Sequence, residues 1–90
     1  MTLKRLIEEQ AQGVSARQRE VLVLLARSTP YTIGELASTL GISSAAATKL
    51  INRLERQRLV SRTPQPGDRR IHTIRLTAVG TEIVHLLGSL

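Results

Sequence analysis

The chain has no cysteine, tryptophan or phenylalanine, and Tyr31 is its single large aromatic residue. Without thiols, neither a disulfide framework nor a thiolate metal site is open to it. His72 and His85 are the only histidines, too few and too isolated to hold a metal, so neither a metal nor any other cofactor is expected. Single-stranded nucleic acid and RNA call for stacking platforms, and a membrane-surface helix calls for aromatic anchors; one tyrosine argues against all three. The longest apolar run, Val21 to Ala26, falls far short of the roughly 20 residues that cross a bilayer. Met1 to Glu9 turns acidic where a signal peptide would be apolar, so a cytoplasmic location with no membrane partner is expected.

Catalytic groupings are missing as well. There is no nucleophile with a base at recognisable spacing, no Gly-rich phosphate loop, and no carboxylate pair outside helix surfaces. Glu8-Glu9 reads as a solvated helix face and His72 as a structural residue on a strand, so the chain is not expected to be an enzyme. What it has in excess is positive charge. The formal net charge is +6, and its distribution is uneven. Through Ile42, five cations meet four carboxylates; from Ser43 to Arg75, eight cations meet only Glu55 and Asp68. A field concentrated in one stretch suits a polyanion, because each neutralised phosphate releases condensed counterions. A merely solvated basic surface is the plain alternative.

Ninety residues are expected to make one domain, 1–90, of mixed but mainly helical class. Leu3, Leu6 and Ile7 fall at helical spacing opposite Glu8, Glu9 and Gln10, which predicts a flanking helix from about Thr2 to Gln12, stopped at Gly13. Ser15 followed by Gln18 is a capping-box pattern opening a helix that carries Val21, Leu22, Leu24 and Leu25 and ends at Thr29-Pro30. Thr32 and Glu35 form a second capping box before Leu36, Ala37 and Leu40, with Gly41 where a left-handed residue is wanted. Ser43 then caps a third helix, whose buried stripe is Ala47, Leu50, Ile51 and Leu54. The other face carries Ala45, Thr48, Lys49, Asn52 and Arg56, with Ser44 at its start and Arg53 beside it.

Two short helices joined by a tight turn, with small residues at Ala37 and Gly41, make a helix-turn-helix pattern. Such a helix lays its first turns in the major groove, where short side chains allow close approach and Thr, Lys, Asn and Arg supply donors. After it the period changes. Leu59 to Thr63 and Ile71 to Leu76 read as two strands joined by a loop from Pro64 to Arg70, with Pro64 and Pro66 expected to stop the ladder. Ile74 and Leu76 share the inner face and Arg75 points outward. This hairpin is the wing of a winged helix-turn-helix. Its arginines are placed to reach a minor groove, and Asp68, two residues before Arg70, is placed to brace that guanidinium.

These residues resemble the MarR family of winged-helix transcriptional regulators. The resemblance runs from Gln18 and Val21-Leu22 through Thr32-Ile33-Gly34-Glu35-Leu36-Ala37, Ile42-Ser43 and Thr48 to Glu55, to Leu59-Val60, Arg62, Asp68-Arg69-Arg70, Leu76-Thr77 and Gly80. It implies a sequence-specific regulator of double-stranded DNA, here read as a repressor. The helix 43–58 would enter the major groove through Ser43, Ser44, Ala45, Thr48, Lys49, Asn52 and Arg53. The wing 61–76 would meet the minor groove through Asp68, Arg69, Arg70 and Arg75. A homodimer is expected on Leu3, Leu6 and Ile7 together with Val79, Ile83, Leu86 and Leu90 of a last helix capped by Thr77. The family's long dimerisation helices, which frame an effector pocket, have no counterpart of that length in these residues, so a small-molecule effector is not expected. Arg58 replaces a frequent glycine, and Asn52 replaces a common aspartate. A winged-helix adaptor that binds protein within a larger assembly is the alternative function.

Overall fold

The computed structural model describes residues 2–27 and 30–88. Its elements follow in the order α1 (Leu3–Gln12), α2 (Ala16–Arg27), β1 (Tyr31–Thr32), α3 (Ile33–Leu40), α4 (Ser44–Arg56), β2 (Val60–Gln65), β3 (Asp68–Leu76) and α5 (Ala78–Leu86). The start signals act as expected. Thr2 Oγ1 accepts from Arg5 N at 3.2 Å and opens α1. Ser15 and Gln18 exchange their two capping-box bonds at 3.2 and 3.0 Å, and Thr32 and Glu35 do the same at 3.1 and 3.0 Å. The stop expected at Thr29-Pro30 falls, at Thr29, outside the described residues.

The core is built from α2 to α5 and the inner face of the sheet. Leu22, Leu25, Leu36, Ile51, Leu54, Leu59, Ile74 and Ile83 are fully buried. Removing each from water contributes roughly 2 kcal/mol toward the entropy cost of ordering the chain. Gln18 is the one buried polar side chain among the described residues, and it is satisfied: its Nε2 donates to Gln57 Oε1 at 3.3 Å. Gln10 Nε2 donates to the Gln57 carbonyl at 2.5 Å, so α1 and α2 are both tied to the end of α4.

The wing differs from its sequence reading in two respects. First, the hairpin is joined by Tyr31–Thr32, giving a three-stranded antiparallel sheet of order β1-β3-β2. Second, Pro64 does not stop the ladder: β2 runs to Gln65, Pro64 pairs with His72, and β3 starts at Asp68 rather than Ile71, so the ladder ends at Pro66 and the turn is Pro66-Gly67 alone. Pro64 is tolerated because β2 is an edge strand, where a missing N–H need not break a bond.

The last helix also needs a correction. Ile83, expected at a dimer interface, is fully buried in the core of its own chain, together with Val84. Val79 and Ile7 are half-buried against that core, whereas Leu3, Leu6 and Leu86 are exposed; Leu90 lies outside the described residues. A helix face that docks on α2 and β3 cannot also serve a partner. No helix among the described residues is long and apolar enough to cross a membrane.

Candidate nucleic-acid interface

The interface begins with how α3 ends. Gly41 adopts the left-handed conformation at φ 68°, Ile42 N donates to Ala37 O at 3.0 Å, and the chain turns straight into the next cap. Ser43 Oγ accepts from Ala46 N at 3.1 Å and starts α4. Using a lone pair on the cap leaves the Ser43 hydroxyl proton to donate outward. Ala47, Ile51 and Leu54 anchor α4 in the core, which rotates Ser44, Ala45, Lys49, Asn52, Arg53 and Arg56 to solvent; Thr48 is half-buried. Lys49, Asn52, Arg53 and Arg56 line one shallow groove along the helix. Arg53 and Arg56 occupy the last turn, where the helix dipole favours cations.

The wing is fastened to this helix by a residue for which the sequence reading had no contact. Arg62 lies opposite Ile74 in the β2–β3 register, on the side of the sheet that faces the helices. Its Nη2 donates to Asn52 Oδ1 at 2.6 Å and stands 3.6 Å from Glu55 Oε1. The aspartate missing at position 52 is thus covered in part by the carboxylate one turn on. The signal was present in the parity of β2 and in the spacing of Asn52 and Glu55, but no local rule pairs a strand with a helix ten residues away.

At the tip, the register jumps. His72 pairs with Pro64, but Asp68 rather than Ile71 pairs with Gln65, so Arg69, Arg70 and Ile71 bulge out of the ladder. All three are exposed. Asp68, the only aspartate in the chain, accepts from Arg70 three times: from Nε at 3.1 Å, from Nη2 at 3.3 Å and from the backbone N–H at 3.1 Å. The guanidinium bonds, and then the backbone bond, hold the Asp68 carboxyl below its ordinary value of 3.8. The bracing expected from the sequence is present, and the Arg70 side chain stays 90% exposed while being held. Arg75 is not part of this cluster. It pairs with Ser61 near the base of the sheet and faces solvent there.

An open apolar cleft of about 620 Å³ lies elsewhere, between Val14, Val23, Leu24, Leu40 and Leu87, with Arg19 and Glu20 at its edge. None of the α4 or wing cations lines it. Among the described residues, no group of histidine and acidic side chains is placed to hold a metal ion.

Two helices joined through Gly41, the second exposed along a basic face and braced by a hairpin, define a winged helix-turn-helix. The chain belongs to the MarR family, whose family model matches residues 12–71. The uncharacterized HTH-type transcriptional regulator YdgJ of Bacillus subtilis (strain 168) is 36% identical over 74 residues, covering 82% of this chain and 45% of that protein. The HTH-type transcriptional repressor MdtR of the same organism is 33% identical over 69 residues, or 77% of this chain and 44% of that one. This chain spans about half the length of the curated relatives it matches. A mutant MarR from E. coli, solved in complex with operator DNA, has a TM-score of 0.81 and 30% identity, covering 96% of this chain and 63% of that chain.

Proposed function

We propose that this chain is a sequence-specific, double-stranded DNA-binding transcriptional regulator of the cytoplasm, a repressor that acts by occupancy and carries out no chemistry. The helix α4 lies in a major groove through Ser43, Ser44, Ala45, Thr48, Lys49, Asn52 and Arg53. The wing reaches the adjoining minor groove through Arg69 and Arg70, with Asp68 as the brace and Arg75 at the wing base. The observation that carries this reading is that Arg62 of β2 fastens to α4 the hairpin whose bulged tip carries Arg69 and Arg70, so that one rigid unit presents two cationic surfaces. A protein-binding adaptor has no reason to align them.

Homodimerisation fits the exposed leucines of the flanking helices, Leu3 at 69% exposure and Leu6 and Leu86 at 48% each. Selection of bound sequences from a random duplex pool at near-physiological salt tests the whole reading. An enriched palindrome with half-sites about one helical turn apart is expected. A single half-site would remove the dimer, and the absence of enrichment would favour the adaptor. Replacing Lys49 or Arg53 by alanine should weaken binding by about 1–3 kcal/mol at one base position, or lower the salt slope by about one where the contact is a phosphate.

A further inference from the structure

Asn52 is the only asparagine in the chain, and its amide has a determined orientation. A guanidinium carries donors and no acceptor, so the Asn52 end facing Arg62 Nη2 at 2.6 Å must be the oxygen; the reverse would set N–H against N–H. Glu55, 3.6 Å from the same Nη2, holds the guanidinium in place, and the Arg62 side chain is only 24% exposed. Both partners of Arg62 lie on α4. The oxygen of Asn52 is therefore turned toward the wing, and the Nδ2 amino group is the end left for the groove that Asn52 shares with Lys49, Arg53 and Arg56. Every side-chain polar group offered to that groove is then a donor: one ammonium, two guanidiniums and one amide NH₂. Ala46 and Leu50, which complete the lining, add no side-chain acceptor.

We infer that this groove takes only hydrogen-bond acceptors, and that Arg62 is the positioning residue that makes it so. Resting on the reading that α4 enters a major groove, the inference names what is read there: the O6 and N7 edge of guanine, O4 of thymine, or a phosphate oxygen. Adenine is disfavoured. An asparagine recognises adenine with both amide ends, its oxygen taking the N6 amino hydrogen, and here that oxygen is turned to Arg62. Cytosine, which offers an amino donor in the major groove, is disfavoured on the same ground.

The test is selection from a random duplex pool with the wild-type chain, Asn52→Ala, Arg62→Met and the double variant, with thermal unfolding recorded for each. In the wild type, a guanine or thymine is expected at the position facing Asn52. Asn52→Ala should relax that one preference about tenfold, the size of a lost base contact. Arg62→Met should relax the same position and admit adenine, because the released amide can then present both ends; the double variant should match Asn52→Ala there. A contact to phosphate instead shows as a uniform loss in Asn52→Ala with no change of preference at any base and an unchanged salt slope, since the side chain is neutral. Wild-type preference for adenine or cytosine at the position that Asn52→Ala relaxes overturns the inference. So does an Asn52→Ala variant with unaltered affinity and preferences. If Arg62→Met unfolds at lower temperature and weakens all sequences alike while Asn52→Ala acts on one base, Arg62 is structural and its positioning role falls. No wild-type enrichment removes the functional reading and the inference together, whereas an enriched site indifferent to Asn52 removes the inference alone.

Discussion

The ends of α3 and α4 share a backbone and differ in the residue that adopts it. After α3, Gly41 is left-handed at φ 68°, with Ile42 N bonded to Ala37 O at 3.0 Å and Gly41 N to Ser38 O at 3.3 Å. After α4, Arg58 is left-handed at φ 63°, with Leu59 N bonded to Leu54 O and Arg58 N to Glu55 O, both at 3.0 Å. Both are Schellman ends. Glycine enters this region without penalty, whereas a residue with a Cβ costs about 1–2 kcal/mol. The surroundings account for the difference. Around Gly41 there is open space. Around Arg58, Thr77 Oγ1 donates to the Arg58 carbonyl at 2.7 Å, Thr77 N donates to Leu59 O at 3.0 Å, and Gly80 lies against that same Leu59 carbonyl. One helix end is set by its own residue, the other by contacts from the start of α5.

The strongest way to break this comparison is Gly80→Ala. A Cβ there would stand 2.1 Å from Leu59 O, so α5 must move away from the end of α4, and a loss of about 3 kcal/mol in urea unfolding is expected despite the better helix propensity of alanine. A variant as stable as the wild type would show that α5 does not support the Arg58 end. Next in size is Gly41→Ala, which meets no neighbour and loses only the backbone term, about 1 kcal/mol. Arg58→Gly sharpens the contrast by having the opposite sign. Relief of the left-handed strain, less the extra freedom of the unfolded chain, should raise stability by about 0.5 kcal/mol. A destabilised Arg58→Gly would mean that the arginine side chain itself holds this end.

The smallest effect belongs to the wing tip, where the brace is charge rather than backbone geometry. Because the folded Asp68 carboxyl titrates below 3.8, its contact with Arg70 is complete above that value and is lost as the pH falls through the lowered one. The Arg70 Nε–H resonance should therefore keep its position from neutral pH down to 3.8 and shift only as the pH falls below that value. Asp68→Asn should give the unbraced signal at every pH.

Much of the site could be read from local patterns. The caps at Ser15, Thr32, Ser43 and Thr77 lie three residues from their partners, and the outer face of α4 follows from the 3.6-residue period that buries Ala47, Ile51 and Leu54. The Asp68–Arg70 brace spans two residues and was equally legible. Dimer residues were harder to assign, because Val79, Ile83 and Leu86 share a stripe that suits a partner and the chain's own core alike. Only packing distinguishes buried Ile83 from exposed Leu86.

The sequence by itself therefore determined the helices, their caps, the presence of a hairpin and the side of α4 that carries charge, since each depends on residues within one turn or on strand alternation. Tertiary structure alone decided that Tyr31–Thr32 pairs with β3, that β2 keeps its ladder through Pro64, and that Arg69 and Arg70 bulge beyond it. It also decided that Arg58 accepts a left-handed backbone and that Arg62 turns the amide of Asn52. Each of these outcomes requires groups on different elements to meet in space, and a one-dimensional pattern carries no term for that meeting.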